Sequence, residues 1–199
     1  MKQISVILAH PHNKSFNHAI ANIAIEELQK NKYRVLFHDL YGEKFDPILP
    51  EKEIPEEGSV SREVLLHCEE ISDADGIIIV HPNWWGQPPA ILKGWVDRVL
   101  RPGVGYKFLE GDSGEGIPVG LLKAQSALVF NTSNTHRERE MDVFGDPLET
   151  IWKNCIFNLC GIKNFYRETF QIVITSSKEQ RHRWLEQVRT TVNKYYPML

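Results

Sequence analysis

The segment IIIVHPNWWGQPPAILKGWVDRVL, residues Ile77 to Leu100, reads as a strand, a turn and a helix. Ile77 to Val80 is a short unbroken run of β-branched residues, the pattern of a parallel strand buried on both faces. Pro82 ends it. Pro88 and Pro89 suit the first turn of a helix, where a missing N–H costs nothing. Beyond them Ile91, Leu92, Trp95, Val96 and Val99 recur on one helical face. A strand leading straight into a helix is half of a parallel α/β unit.

The same unit repeats outward in both directions. Upstream, Ile4 to Ala9 is an apolar strand, and Ile20, Ile23, Ala24 and Leu28 share one face of a helix beginning near Phe16. Val35 to Phe37 is a weaker strand. A loop with Pro47, Pro50 and Pro55 leads to a helix marked by Val64, Leu65, Cys68 and Ile71. Downstream, a glycine-rich loop from Pro102 to Leu122 is long enough to be mobile or part of a site. Ala127 to Phe130 is the fourth strand. Asp146, Pro147 and Glu149 predict an N-cap, an N1 proline and a capping-box acid. The helix they start carries Leu148, Ile151, Trp152, Cys155, Ile156 and Leu159 inward, and Gly161 stops it. Phe165 to Ile174 supplies a fifth strand, and Leu185, Val188, Val192 and Tyr195 face inward from the last helix. Right-handed crossovers leave few topologies for this alternation. The expectation is one α/β domain over residues 1–199, doubly wound, with a five-stranded parallel sheet of order 2-1-3-4-5 and helices on both faces.

Composition narrows the function. The 199 residues carry a net charge of −3 with no Lys/Arg stripe, which argues against nucleic acid as partner. Cys68, Cys155 and Cys160 form no CxxC pair and fall in apolar helical patterns, as buried free thiols in a reducing compartment would. The N-terminus enters a strand at once, with no signal-like segment, and no apolar run approaches the roughly 20 residues that span a bilayer. A cytoplasmic protein is expected.

In doubly wound sheets ligands sit beyond the strand carboxyl ends, at the switch point between strands 1 and 3. Three loops meet there. His10-Pro-His-Asn-Lys-Ser-Phe-Asn17 opens a helix whose free N–H groups and positive dipole end suit a phosphate, with Ser15, Asn17 and Lys14 beside them. Ser15 would serve equally as a simple helix cap. In His81-Pro-Asn-Trp-Trp-Gly-Gln-Pro-Pro89, two adjacent tryptophans cannot both be core. An aromatic wall beside amides freed by Gly86 suits a flat heterocycle, while a plug or an oligomer contact would use the same residues. Asn131-Thr-Ser-Asn-Thr-His136 offers small donors, as a plain turn also would. No GxGxxG or GxxxxGK[ST] is present, so this is neither a Rossmann fingerprint nor a P-loop. The coincidence of the three loops at the switch point carries the reading of a phosphate-bearing cofactor site.

At these residues the chain resembles the flavodoxin-like NAD(P)H-quinone oxidoreductases, a family that includes the ancillary proteins of potassium-efflux systems. The matching stretches are LAHPHNKSFNHAI (Leu8 to Ile20), LYGEKFDPI (Leu40 to Ile48), HPNWWGQPPAILKGWVDRVL (His81 to Leu100) and NTSN (Asn131 to Asn134). The resemblance implies a non-covalent flavin, FMN or FAD. His10, Ser15, Phe16 and Asn17 would contact its phosphate, and Pro82, Asn83, Trp84, Trp85 and Gly86 would lie along its ring. Asn131, Thr132, Ser133 and Asn134 would hold its pyrimidine edge.

It further implies NAD(P)H as co-substrate, a quinone-like acceptor and a homodimer, with Tyr106 and Phe108 near the shared edge. The mammalian branch places a Tyr and a His after the third loop, thought to balance charge on the reduced flavin. Here no tyrosine occurs in that stretch and Phe144 falls near the His place, which leaves His136 either as the substitute or as a plain solvated loop histidine. No metal site is expected. The leading reading is a hydride-transferring enzyme. The alternatives are a flavin-binding regulatory subunit of a potassium-efflux or other membrane system, and a one-electron carrier, which the near-neutral charge disfavours.

Overall fold

The computed structural model describes residues 1–55, 58–109, 111 and 114–199. In chain order the elements are β1 (Gln3–Leu8), α1 (Phe16–Lys30), β2 (Arg34–Asp39), α2 (Arg62–Asp73), β3 (Gly76–Pro82), α3 (Ala90–Val99), β4 (Tyr106–Lys107), β5 (Val119–Gly120), β6 (Ser126–Thr132), α4 (Arg137–Asp142), α5 (Pro147–Glu149), β7 (Asn164–Phe170) and α6 (Lys178–Tyr195). The main sheet is parallel, in the order β2-β1-β3-β6-β7. This is the expected 2-1-3-4-5 arrangement of a flavodoxin-like fold.

Alternation along the central strands divides the core in two. Ile4, Val6 and Leu8 of β1, Ile78 and Val80 of β3, and Leu128 and Phe130 of β6 pack under α1 and α6. Ile7, Ile77, Ile79, Ala127 and Val129 face α2, α3 and Trp152. Burial on both faces explains why β3 and β6 read as continuous apolar runs.

Several local expectations give way to tertiary contacts. The fifth strand ends at Phe170, because Ile172 turns left-handed (φ 55°) and one 3₁₀ turn, Val173–Thr175, follows. Asp146 forms no side-chain cap and sits at φ 47°. Its carboxylate instead pairs with Arg167 of β7, which Glu149 also bonds at 3.0 Å, so the capping box is lost to a longer-range ion pair. Residues Thr150–Phe157 wind as a π-helix. Bonding i to i+5 shifts the inward face within each turn, so Phe157 is buried whereas Cys155 points to solvent. The buried-thiol expectation therefore fails for Cys155. Cys68 and Cys160 are buried, and burial pushes both thiols up to about 11. In the Pro102–Leu122 loop, β4 and β5 pair as a short antiparallel ribbon, and residues 110, 112 and 113 lie outside the described residues. Among the described residues no helix is long and apolar enough to cross a membrane.

Candidate functional site

A cavity of about 900 Å³ opens at the carboxyl ends of β1, β3 and β6, at the switch point. His10, Ser15, Phe16, Asn17, Pro82, Asn83, Trp84, Trp85, Gly86, Thr132, Ser133 and Asn134 line it, so loops more than a hundred residues apart in sequence share one wall.

The anionic end is built by α1. Ser15 caps the helix, its Oγ accepting the His18 amide at 3.3 Å. Among the described residues the amides of Phe16 and Asn17 have no acceptor. Such first-turn N–H groups are the usual anion donors of a helix end. Lys14 and Arg181 add positive charge to the wall. The His10 ring is kept neutral by burial, which lowers its pKa below 6.5. Its Nδ1 accepts the His12 amide at 3.0 Å, so Nε2 carries the ring proton. Asn17 is only 2% exposed. Its Nδ2 donates to Thr132 Oγ1 at 2.9 Å, but its Oδ1 has no partner among the described residues. A buried acceptor left open beside free amides fits a ligand carrying both an anion and hydroxyl groups.

The aromatic wall is the turn after β3. Asn83 Oδ1 accepts the Gly86 amide at 3.0 Å, while its Nδ2 donates to Glu140 at 3.1 Å. Asn83 thus clasps the turn to α4, with one Nδ2 proton and one Oδ1 lone pair committed. The amide at Gly86 is likewise used. The free one is that of Trp85, which makes no hydrogen bond among the described residues. Gly86 sits at φ 71°, and a Cβ there would lie 2.8 Å from Pro147. Trp85 is left-handed too (φ 57°) and its side chain is 99% exposed.

The third loop departs from expectation at two residues. Asn131 lies wholly inside the fold, because neighbouring strand side chains take opposite faces. Its Nδ2 bonds His81 Nε2 at 2.8 Å and its Oδ1 accepts Arg167 at 3.2 Å. His81 also accepts the Trp152 indole at 2.9 Å, and burial drives its pKa down to about 4. These residues support the cavity floor without lining it. His136 is exposed at the start of α4 and outside the cavity. Phe144 does line the cavity, as do Glu140, Pro147, Val173, Ile174 and Arg181. None of these six has a local sequence signal as a cavity residue. They arrive on segments whose position is set by packing.

Among the described residues, His38, Glu43 and His67 form a group with metal-ligand chemistry. The Trp95 indole donates to His67 Nδ1 at 3.1 Å, which places the His67 proton on Nε2, the nitrogen facing Glu43. His38 is bridged by Glu43 at 3.0 Å and Glu70 at 2.5 Å. The ring nitrogens are already engaged, and the cluster is an ion-paired brace between β2 and α2.

The fold and this switch-point site define a class. The sequence pattern described as flavodoxin-like fold matches residues 2–193, and the chain belongs to that family. An uncharacterized NAD(P)H oxidoreductase of Haemophilus influenzae is 39% identical over 170 residues, covering 83% of this chain and 81% of that protein. The human ribosyldihydronicotinamide dehydrogenase (quinone) is 27% identical over 202 residues, 90% of this chain and 86% of the other. The solved NAD(P)H:quinone oxidoreductase from Methanothermobacter marburgensis shares the fold with a TM-score of 0.83 at 23% identity, covering 97% of this chain and 96% of that one.

Proposed function

We propose that this protein is a flavin-dependent NAD(P)H oxidoreductase that reduces a quinone or a similar acceptor, with FMN or FAD held non-covalently. One observation carries the reading. A single cavity joins an anion-binding helix end, an unsatisfied buried acceptor at Asn17 and an exposed tryptophan wall. The relative described as an NAD(P)H oxidoreductase supports it. When bound, the flavin supplies the two-electron chemistry. The chain's residues would bind and orient it: the Phe16 and Asn17 amides with Ser15 and His10 would hold the phosphate, and Asn17 Oδ1 would take a hydroxyl of the ligand. Trp84, Trp85 and Gly86 would flank the ring, with Thr132, Ser133 and Asn134 at its polar edge. Phe144 lines the same cavity, near the place that the resemblance assigns to a histidine.

The test is direct. Purified protein should be yellow and should oxidise NADH or NADPH when a quinone is added, and mass measurement of the released flavin separates FMN from FAD. A colourless protein that takes up neither would overturn the proposal.

We also infer a homodimer. A groove of about 410 Å³ lined by Leu49, Ile54, Val96, Leu100, Tyr106 and Leu159 lies apart from the cavity. Ile54 on its rim is largely exposed, which suits burial against a second copy. Light scattering should return twice the chain mass.

A further inference from the structure

Ser15, His18 and Asp39 form a hydrogen-bonded chain that ends at the anion-binding turn of α1. Ser15 Oγ lies 2.9 Å from His18 Nδ1, and His18 Nε2 lies 3.2 Å from Asp39 Oδ2. Asp39 is held in turn, its Oδ1 accepting the Gly42 amide at 3.2 Å. A Cβ at residue 42 would come within 2.8 Å of Asp39 Oδ2, so the turn after β2 closes tightly on this carboxylate. The other titratable groups facing His18 come from the loop after β1. The His10 ring stands edge-on at 6.4 Å, and His12 is bonded to it through its amide. Lys14 lies on the same loop.

Donor counting gives this chain a direction. An ionised Asp39 only accepts, so His18 Nε2 carries a proton. In neutral His18 the Nδ1 is bare, and Ser15 must spend its one hydroxyl proton on it. With its other lone pair on the His18 amide, Ser15 then faces the cavity with a single lone pair, which repels an anion. In protonated His18, Nδ1–H donates to Ser15 Oγ, and the hydroxyl proton is released toward the cavity.

We propose that His18 is a positioning residue that takes up one proton from solvent when the cofactor phosphate binds, and thereby turns Ser15 into a donor to that phosphate. The inference rests on the flavin reading above. No covalent bond changes. The Ser15 O–H···Nδ1 bond is exchanged for Nδ1–H···Oγ and O–H···phosphate.

The test uses the full chain freed of flavin, titrated calorimetrically with FMN and with riboflavin, which has no phosphate. Buffers of different ionisation enthalpy count protons, and the range pH 7 to 8.5 lies above the second phosphate ionisation at about 6. Wild-type protein should take up to about one proton with FMN, and its FMN affinity should weaken by up to about tenfold per pH unit. Riboflavin should show neither effect. In His18→Asn, whose amide donates to Ser15 without titrating, FMN affinity should lose its pH slope. Ser15→Ala should bind FMN more weakly and also lose the slope. Equal proton uptake in wild type and His18→Asn overturns the proposal while leaving the flavin reading intact. Binding of neither FMN nor riboflavin overturns the flavin reading, and this proposal with it.

Discussion

Trp85 combines two unfavourable features, a left-handed backbone and an indole almost wholly in water. The first costs on the order of 1 kcal/mol or more for a residue with a side chain, and among the described residues no hydrogen bond to the Trp85 amide offsets it. A flat ligand against the indole would. Trp85→Gly should therefore raise the thermal midpoint while weakening flavin retention, and Trp85→Ala should weaken retention without relieving the backbone. Stacking adds ~0.5–1.5 kcal/mol beyond burial, so flavin binding several-fold weaker is expected by fluorescence titration. Unchanged affinity in both variants would remove Trp85 from the site. Ser15 separates capping from binding in a similar way. Asp caps a helix about as well as Ser, so Ser15→Asp should unfold at the wild-type denaturant midpoint yet lose its flavin to charge repulsion. A fully loaded Ser15→Asp protein would place the phosphate elsewhere.

Elements are joined here by buried ion pairs as much as by apolar faces. Arg98 of α3 donates to both carboxylate oxygens of Glu53, at 3.0 and 2.7 Å, and through Nη1 to the Asp46 carbonyl. Both side chains are almost fully buried. This pair clamps the proline-rich loop onto α3. Its side-chain bond to Arg98 holds the Glu53 pKa below 4.5 against the opposing effect of burial. Removing Arg98 takes the paired guanidinium from a buried carboxylate that keeps only the Ser61 amide and the Arg101 charge, and breaking such a pair costs roughly 3–5 kcal/mol. Arg98→Ala should lose about that much in urea unfolding, and a loss below about 1 kcal/mol would show that water reaches Glu53. Because the folded Glu53 pKa is depressed, its contribution is present above 4.5 and lost as pH falls through the lower folded value. Arg167 makes the matching tie across the molecule, drawing Asp146 and Glu149 onto β7 beneath the cavity floor.

Over the whole molecule, two buried histidines set the acid limit. Burial holds His67 and His81 at about 4, against 6.5 for a free imidazole. A neutral histidine with a depressed folded pKa contributes stability that is complete above about 6.5. That contribution disappears as pH falls toward 4. For His81, which is fully enclosed, it amounts to about 3 kcal/mol. His38 has the opposite sign: burial alone would lower its pKa, but Glu43 and Glu70 raise it above 6.5. Its contribution is present below 6.5 and fades as pH rises through the folded value. Denaturant unfolding from pH 7 to 4.5 should show stability dropping steeply on the acid side. A flat profile over that range would mean neither His67 nor His81 is held neutral.

The sequence by itself determined the sheet and the place of the site. Ile77 to Val80 reads as a strand buried on both faces because the run is short, β-branched and bounded by Gly76 and Pro82. Once such strands alternate with amphipathic helices, right-handed crossovers leave few orders, of which the 2-1-3-4-5 sheet places the switch point beyond strands 1 and 3. The loops from His10 to Asn17 and from Pro82 to Gly86 were legible because each directly follows such a strand. What only the tertiary structure decided is which side chains there remain free. Asn131 is turned inward to His81 and Arg167, and Asn83 is held by Gly86 and Glu140. Phe144 and Arg181 reach the cavity from distant segments, and His18 finds Asp39 across two elements. Periodicity records the face a residue takes on its own element, whereas hydrogen-bond partners are set by which elements pack together and at what register.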